Sequence, residues 1–179
     1  MAIPFLAEFD AAYGAVVRVA PGLRRVVAEN PSKYTAWGTG TYLVGEGDVA
    51  IVDPGPQLDA HVDALLAAVA GETVTHLLVT HTHADHSPAA AAVKELTGAT
   101  TYGFGPHPPD ARSESEEHGD VAFVPDVEVR HGDVIEGPGF EFECLHTPGH
   151  ISNHICYAER RRGILFPGDH VMGWSTSVI

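Results

Sequence analysis

Between Val49 and Tyr102 the chain switches twice from a short apolar run to a helical repeat and back, and this alternation limits the fold more than any other feature. Val49-Ala50-Ile51-Val52 reads as a strand that Asp53-Pro54-Gly55-Pro56 stops. From Leu58 to Ala70 the apolar residues Val62, Leu65, Leu66 and Val69 are spaced 3, 1 and 3, which is one face of a helix, and Gly71 suits its C-terminus. Thr75–Thr80 then reads as a buried strand. Ser87-Pro88 predicts a helix start, with a capping hydroxyl before a proline at the first helical position, and the alanine-rich run to Leu96 continues it. Ala99–Tyr102 is the next strand. A β-α-β-α-β series calls for right-handed crossovers and a mostly parallel sheet, so the fold class is α/β.

The flanks are strand-rich. Val16–Val19 and Arg24–Val27 are split by Pro21-Gly22, and Thr41–Val44 pairs with Val49–Val52 in a hairpin around Gly45-Glu46-Gly47-Asp48. Residues 105–120 hold three prolines and a charged run without periodicity, which predicts a surface loop. Short strands follow near 121–124, 140–145, 154–158 and 163–166. The 179 residues suit a single domain over 1–179, and 44% hydrophobic residues are enough for a packed core. No stretch approaches the roughly 18 apolar residues of a membrane helix. A formal charge of −14 repels phosphate backbones and disfavours nucleic acid as a partner, leaving a small molecule as the expected substrate. Two cysteines, Cys144 and Cys156, make no disulfide framework and read as small core residues. With no basic leader followed by an apolar run, the expected compartment is the cytoplasm.

Histidine is over-represented: 12 residues, against 10 Lys and Arg together. The densest group is His81-Thr82-His83-Ala84-Asp85-His86, between a buried strand and a helix start, where open α/β sheets place their sites. Histidines one residue apart at an extended strand end project to the same side. Asp85 and His86 follow at the turn into the helix and reach a second point nearby. Imidazole and carboxylate at this density suit zinc, iron or manganese. Two later turns, Thr147-Pro148-Gly149-His150 and Phe166-Pro167-Gly168-Asp169, each follow a predicted strand and present a ligand-type residue.

Asp53, His81-x-His83-x-Asp85-His86, His150 and Asp169, in that order and with those flanking words, resemble the metallo-β-lactamase superfamily from about Asn30 to Ile179. The run Asn30-Pro31-Ser32-x-Tyr34-Thr35 with Gly40–Gly45 resembles, more narrowly, a subgroup of lactamase-like endoribonucleases and uncharacterised bacterial hydrolases. The resemblance implies an αββα sandwich of two mixed sheets with metals at one edge. It implies that His81, His83 and His150 hold a first metal, Asp85 and His86 a second, that Asp169 bridges, and that Asp53 orients the cluster from behind. One or two Zn2+ ions, with Fe or Mn as alternatives, would supply hydroxide near neutral pH for attack on an ester, thioester, lactone, amide or phosphodiester, with Asp85 orienting the water.

The family pattern also carries a last histidine and a further αβ half after the Gly-Asp motif, whereas this sequence ends ten residues past Asp169. The expectation is therefore a sandwich incomplete at its C-terminus, a fragment whose open sheet a partner chain such as a second copy would cover. Alternatives to the hydrolase are an RNA endonuclease of the same fold and a metal-binding domain without turnover. His154 and His170 lie outside the motif and read as structural. His61, His76, His107, His118, His131 and His146 have no motif context, and His76 reads as a satisfied core residue.

Overall fold

Short apolar strands build two sheets that share one interior. The computed structural model describes Phe5, residues 7–109 and residues 119–176. The larger sheet runs in sequence order through β1 (Val17–Ala20), β2 (Leu23–Val27), β3 (Gly40–Glu46), β4 (Asp48–Val52), β5 (Thr73–Leu78), β6 (Thr100–Gly103) and β7 (Val127–Glu128). Its first four strands are antiparallel, and β4 to β7 are parallel, as the β-α-β-α-β reading requires. The crossovers are α1 (Asp59–Ala68) and α2 (Ala89–Thr97). The smaller sheet, β8 (Val134–Gly137), β9 (Phe140–His146), β10 (Ile155–Glu159) and β11 (Ile164–Phe166), is antiparallel throughout, in the order β11-β10-β9-β8.

The larger sheet is apolar on both faces. Val26, Leu43, Val49, Ile51 and Leu77 pack under Val62, Leu65 and Val69 of the α1 segment and Ala89 and Val93 of α2. On the other face Leu23, Val44, Ala50, Val52 and Leu78 meet Phe140, Phe142, Cys144, Ile155, Tyr157 and Phe166 from the smaller sheet. The interior therefore consists of two layers of interdigitated side chains, and the Tyr157 hydroxyl inside it donates to the Val79 carbonyl at 2.9 Å. Among the described residues helices cover only the outer face of the larger sheet, so the two-sheet sandwich is present with one helical layer rather than two. Both cysteines are buried and free, and burial pushes the Cys144 thiol up to about 12. Among the described residues no helix is long and apolar enough to cross a membrane.

Three local expectations need correction. No strand forms at 121–124, because the Asp120 carboxylate accepts the N–H groups of Ala122 and Phe123 at 3.1 and 3.2 Å and turns the chain. Ser87 does not cap α2; its hydroxyl donates instead to Asp120 at 2.7 Å. β7 and β8 were not expected. Of the 105–120 loop, residues 110–118, His118 among them, lie outside the described residues.

Candidate metal centre

The site lies along one rim of the sandwich, where β4, β5, β9 and β11 all end. β4 delivers Asp53, which takes a positive φ of 49° immediately after the strand. β5 runs into His81–His86 before α2, β9 leads to His150, and β11 leads to a 3-10 turn, Gly168–His170, that presents Asp169. Gly168 has φ +51°, and a Cβ there would stand 2.6 Å from His154 Nε2, so this turn needs glycine. The two sheets are tied together beside the site by the Ile155 N–H, which donates to the Thr80 carbonyl at 2.8 Å.

Four of the expected ligands converge. One atom each from His81, His83, His150 and Asp169 lies within 4.8 Å of the others. His83 Nδ1 is 3.0 Å from His81 Nε2 and 2.9 Å from His150 Nε2. Asp169 Oδ2 is 3.4 Å from His150 Nε2 and 3.8 Å from His81 Nε2. A ring nitrogen has a single in-plane bonding site, so His83 Nδ1 cannot make two good hydrogen bonds at once. Zinc–nitrogen bonds of about 2.0–2.1 Å in a tetrahedron put ligands about 3.3–3.4 Å apart, and the four separations bracket that edge. The donor set fits a cation.

A second group adjoins the first. His86 Nε2 is 3.2 Å from Asp85 Oδ2 and 3.4 Å from Asp169 Oδ1. The two oxygens of Asp169 thus face the two groups separately, the arrangement a bridging carboxylate needs. Asp53 stands behind. Its carboxylate accepts the Thr80 N–H and hydroxyl, each at 2.8 Å, and lies 3.0 Å from His86 Nδ1. With Asp53 accepting from His86 Nδ1, Nε2 is the nitrogen that faces the group and would ligate an ion that displaces its proton. The Thr80 hydroxyl, committed to Asp53, accepts from His81 Nδ1 at 3.0 Å, which leaves the His81 lone pair on Nε2.

The electrostatics match. Burial, reinforced by His86 and the neighbouring imidazoles, pushes His81 well below the ordinary histidine range. Burial and then His150 bring His83 down to about 4. Burial also acts against protonation of His86, yet Asp85, Asp169 and Asp53 together raise it well above its ordinary value. Burial would raise Asp85, but facing His86 and accepting from Thr39 hold it well below the carboxylate range; Asp169 is lowered despite burial, chiefly by His86. Three carboxylates around one imidazole leave excess negative charge that positive ions would balance.

The other histidines do different work. His154 is fully buried; its ring stacks on His81 at 5.0 Å and on His170 at 4.5 Å, and burial followed by His170 lowers it to about 3. Neither is among the converging ligand atoms. His61, expected to be ordinary, is buried with Nε2 3.0 Å from Thr41 Oγ1 and 3.1 Å from the Pro54 carbonyl, supporting the turn after β4. His76 is half-buried and stacks on Tyr102 at 5.0 Å. His107 Nδ1 meets Thr82 Oγ1 at 2.9 Å, and His146 stacks on Phe104 at 3.9 Å. The sequence reading missed Thr39 and Thr80, whose hydroxyls serve Asp85 and Asp53.

A groove of about 390 Å3 opens beside Asp85, His86 and Asp169 and runs between Tyr42, Phe166 and Trp174.

Comparison with known proteins gives one family. Residues 34–176 match the model described as the metallo-beta-lactamase superfamily. An atrochrysone carboxyl ACP thioesterase of Cryptosporiopsis sp. is 30% identical over 167 residues, covering 92% of this chain and 48% of its own length. A lactamase-like protein of Pestalotiopsis microspora is 31% identical over 174 residues, covering 92% and 48% respectively. The crystal structure of a beta-lactamase domain protein from Burkholderia ambifaria shares the fold with a TM-score of 0.71 at 22% identity, over 96% of this chain and 60% of that one. The chain spans about half the length of the curated relatives it matches. With the family model covering most of the sequence, the chain belongs to the metallo-beta-lactamase superfamily.

Proposed function

We propose that the chain is a metal-dependent hydrolase whose substrate is a thioester. The observation that carries the hydrolase reading is the double convergence around Asp169, with His81, His83 and His150 on one oxygen and Asp85 and His86 on the other. The thioester rests on the relatives, of which the Cryptosporiopsis protein is named an ACP thioesterase. That name, together with a charge of −14, moves the reading away from the endoribonuclease subgroup suggested by the Asn30–Thr35 run and towards small acyl substrates.

His81, His83, His150 and Asp169 would hold one ion, and Asp85, His86 and Asp169 a second, with zinc favoured by the imidazole-rich set and Fe or Mn as alternatives. Bound there, the ions would supply Lewis-acid chemistry, acidifying water and polarising a carbonyl. Thr80 keeps the His81 lone pair on Nε2, and Asp53 holds His86 Nδ1 so that Nε2 faces Asp85 and Asp169. Asp85, fixed by the Thr39 hydroxyl, accepts a hydrogen bond from the attacking water and orients it, and the water's proton passes to solvent. The water oxygen bonds to the acyl carbon, the carbon–sulfur bond breaks, and a proton from solvent reaches the leaving thiolate, giving a carboxylic acid and a thiol. The groove beside Tyr42, Phe166 and Trp174 receives the apolar acyl group.

Thiol release from acyl N-acetylcysteamine thioesters, followed with a thiol-reactive dye in zinc-replete buffer, tests the reading. The expected result is turnover that a chelator abolishes and that His81→Ala with His83→Ala lacks. Chelator-insensitive release, or cleavage of RNA with thioesters left intact, would overturn it.

A further inference from the structure

Asp85 is held from a distant part of the chain. Thr39, just before β3 and 46 positions earlier, donates its hydroxyl to Asp85 Oδ2 at 2.9 Å, the same oxygen that faces His86 Nε2. Thr39 is itself gripped by Asn30. The Thr39 N–H donates to Asn30 Oδ1 at 2.9 Å, and Asn30 Nδ2 donates to Thr39 Oγ1 at 3.1 Å. The first bond fixes which way the Asn30 amide points, so the second must be a donation into the threonine oxygen. A hydroxyl that accepts from Asn30 has its single proton free to go forward, and Asp85 is the acceptor it meets. The backbone makes the grip possible. Gly38, with φ +117°, brings Thr39 so close that a Cβ on residue 38 would stand 2.2 Å from the Ala28 carbonyl. The Ala28 N–H closes the loop onto the Thr39 carbonyl at 2.9 Å.

We infer that Asn30 and Thr39 are positioning residues for Asp85, and that they set the affinity of the second ion without setting that of the first. This rests on the two-ion reading above. Asp85 Oδ2 faces His86 Nε2 and is not among the converging atoms of His81, His83, His150 and Asp169, and His81 is oriented separately, by Thr80. Loosening Asp85 therefore weakens one group selectively. It also gives the Asn30–Thr35 run a role: the Thr35 hydroxyl bonds the Asn30 carbonyl at 2.5 Å and holds that residue in place. Groups that orient a metal ligand from behind typically alter affinity by about 10–100-fold.

The test is Zn2+ titration of the metal-stripped 179-residue chain by isothermal calorimetry, with Thr39→Val, Thr39→Ser and Asn30→Ala beside the parent and a thermal melt of each. The parent should take up two ions. Thr39→Val and Asn30→Ala should bind the first ion within about threefold of the parent and the second about 10–100-fold more weakly. Thr39→Ser, which keeps the hydroxyl, should restore the second. A parent that binds a single ion overturns the two-ion reading and this inference with it. A parent with two ions whose Thr39→Val variant binds both normally, loses both equally, or is not rescued by serine overturns the inference alone. If Thr39→Val does not fold, Asn30→Ala, at a half-exposed site, decides by the same criterion.

Discussion

Replacing Asp53 by asparagine should separate the charge of this buried side chain from its shape. Asp53 accepts three bonds, from the Thr80 N–H, the Thr80 hydroxyl and His86 Nδ1. Its φ of 49° is a left-handed conformation that asparagine tolerates better than most residues, so the backbone should hold. The amide oxygen can keep the Thr80 N–H bond. The amide nitrogen then replaces Oδ2 and confronts His86 Nδ1 with a donor. His86 answers by moving its proton to Nε2, the atom that faces Asp85 and Asp169, where a protonated nitrogen cannot ligate. Loss of an orienting partner of this kind costs about 10–100-fold in metal affinity, or about 1.4–2.7 kcal/mol. Competition titration with a chromophoric chelator should show the second ion weakened by that factor and the first changed by less than about threefold. Asp53→Ala should do the same and also melt lower, since alanine in this conformation costs about 1–2 kcal/mol. Second-ion affinity within twofold of the parent in Asp53→Asn would refute the claim that Asp53 sets the His86 tautomer.

Three further outcomes follow from other contacts. Gly168→Ala would drive a methyl into His154 Nε2 and Thr80 Oγ1, so the Asp169 turn should shift, the melting temperature of the stripped protein should fall, and added zinc should no longer raise it. Phe142→Ala, at a fully buried position between the sheets, should cost about 3–5 kcal/mol in urea unfolding. Glu72 pairs with Arg24 at 2.7 Å, and although burial opposes it, the Arg24 bond lowers the carboxyl. Its stabilisation is therefore present above the unfolded carboxylate value of about 4.3 and fades as pH falls through the lower folded value. The stability gap between the parent and Glu72→Gln, up to about 1 kcal/mol at pH 7, should close in acid.

The β-α-β-α-β segment was readable because its periods of 2 and 3.6 do not overlap and its turns carry proline and glycine. The ligands were readable for a related reason: His81, His83, Asp85 and His86 are adjacent in sequence, so spacing alone exposes them. What escaped had no local signature. β7 is two exposed residues, too short for any period, and the 121–124 run lost its strand to the Asp120 side chain. Thr39 contacts Asp85 across 46 positions, and nothing near it distinguishes it from any other threonine ahead of a strand. His154 reads as structural and His61 as ordinary in sequence, and only their packing, against His81 and beneath the turn after β4, shows what they support.

The most direct test of the central claim is the metal content of the purified 179-residue chain, counted by mass spectrometry after expression with zinc and iron supplied. The structure leads us to expect two divalent ions per chain, falling when His81 and His83 are both replaced by alanine. Metal-free protein from that preparation would contradict it.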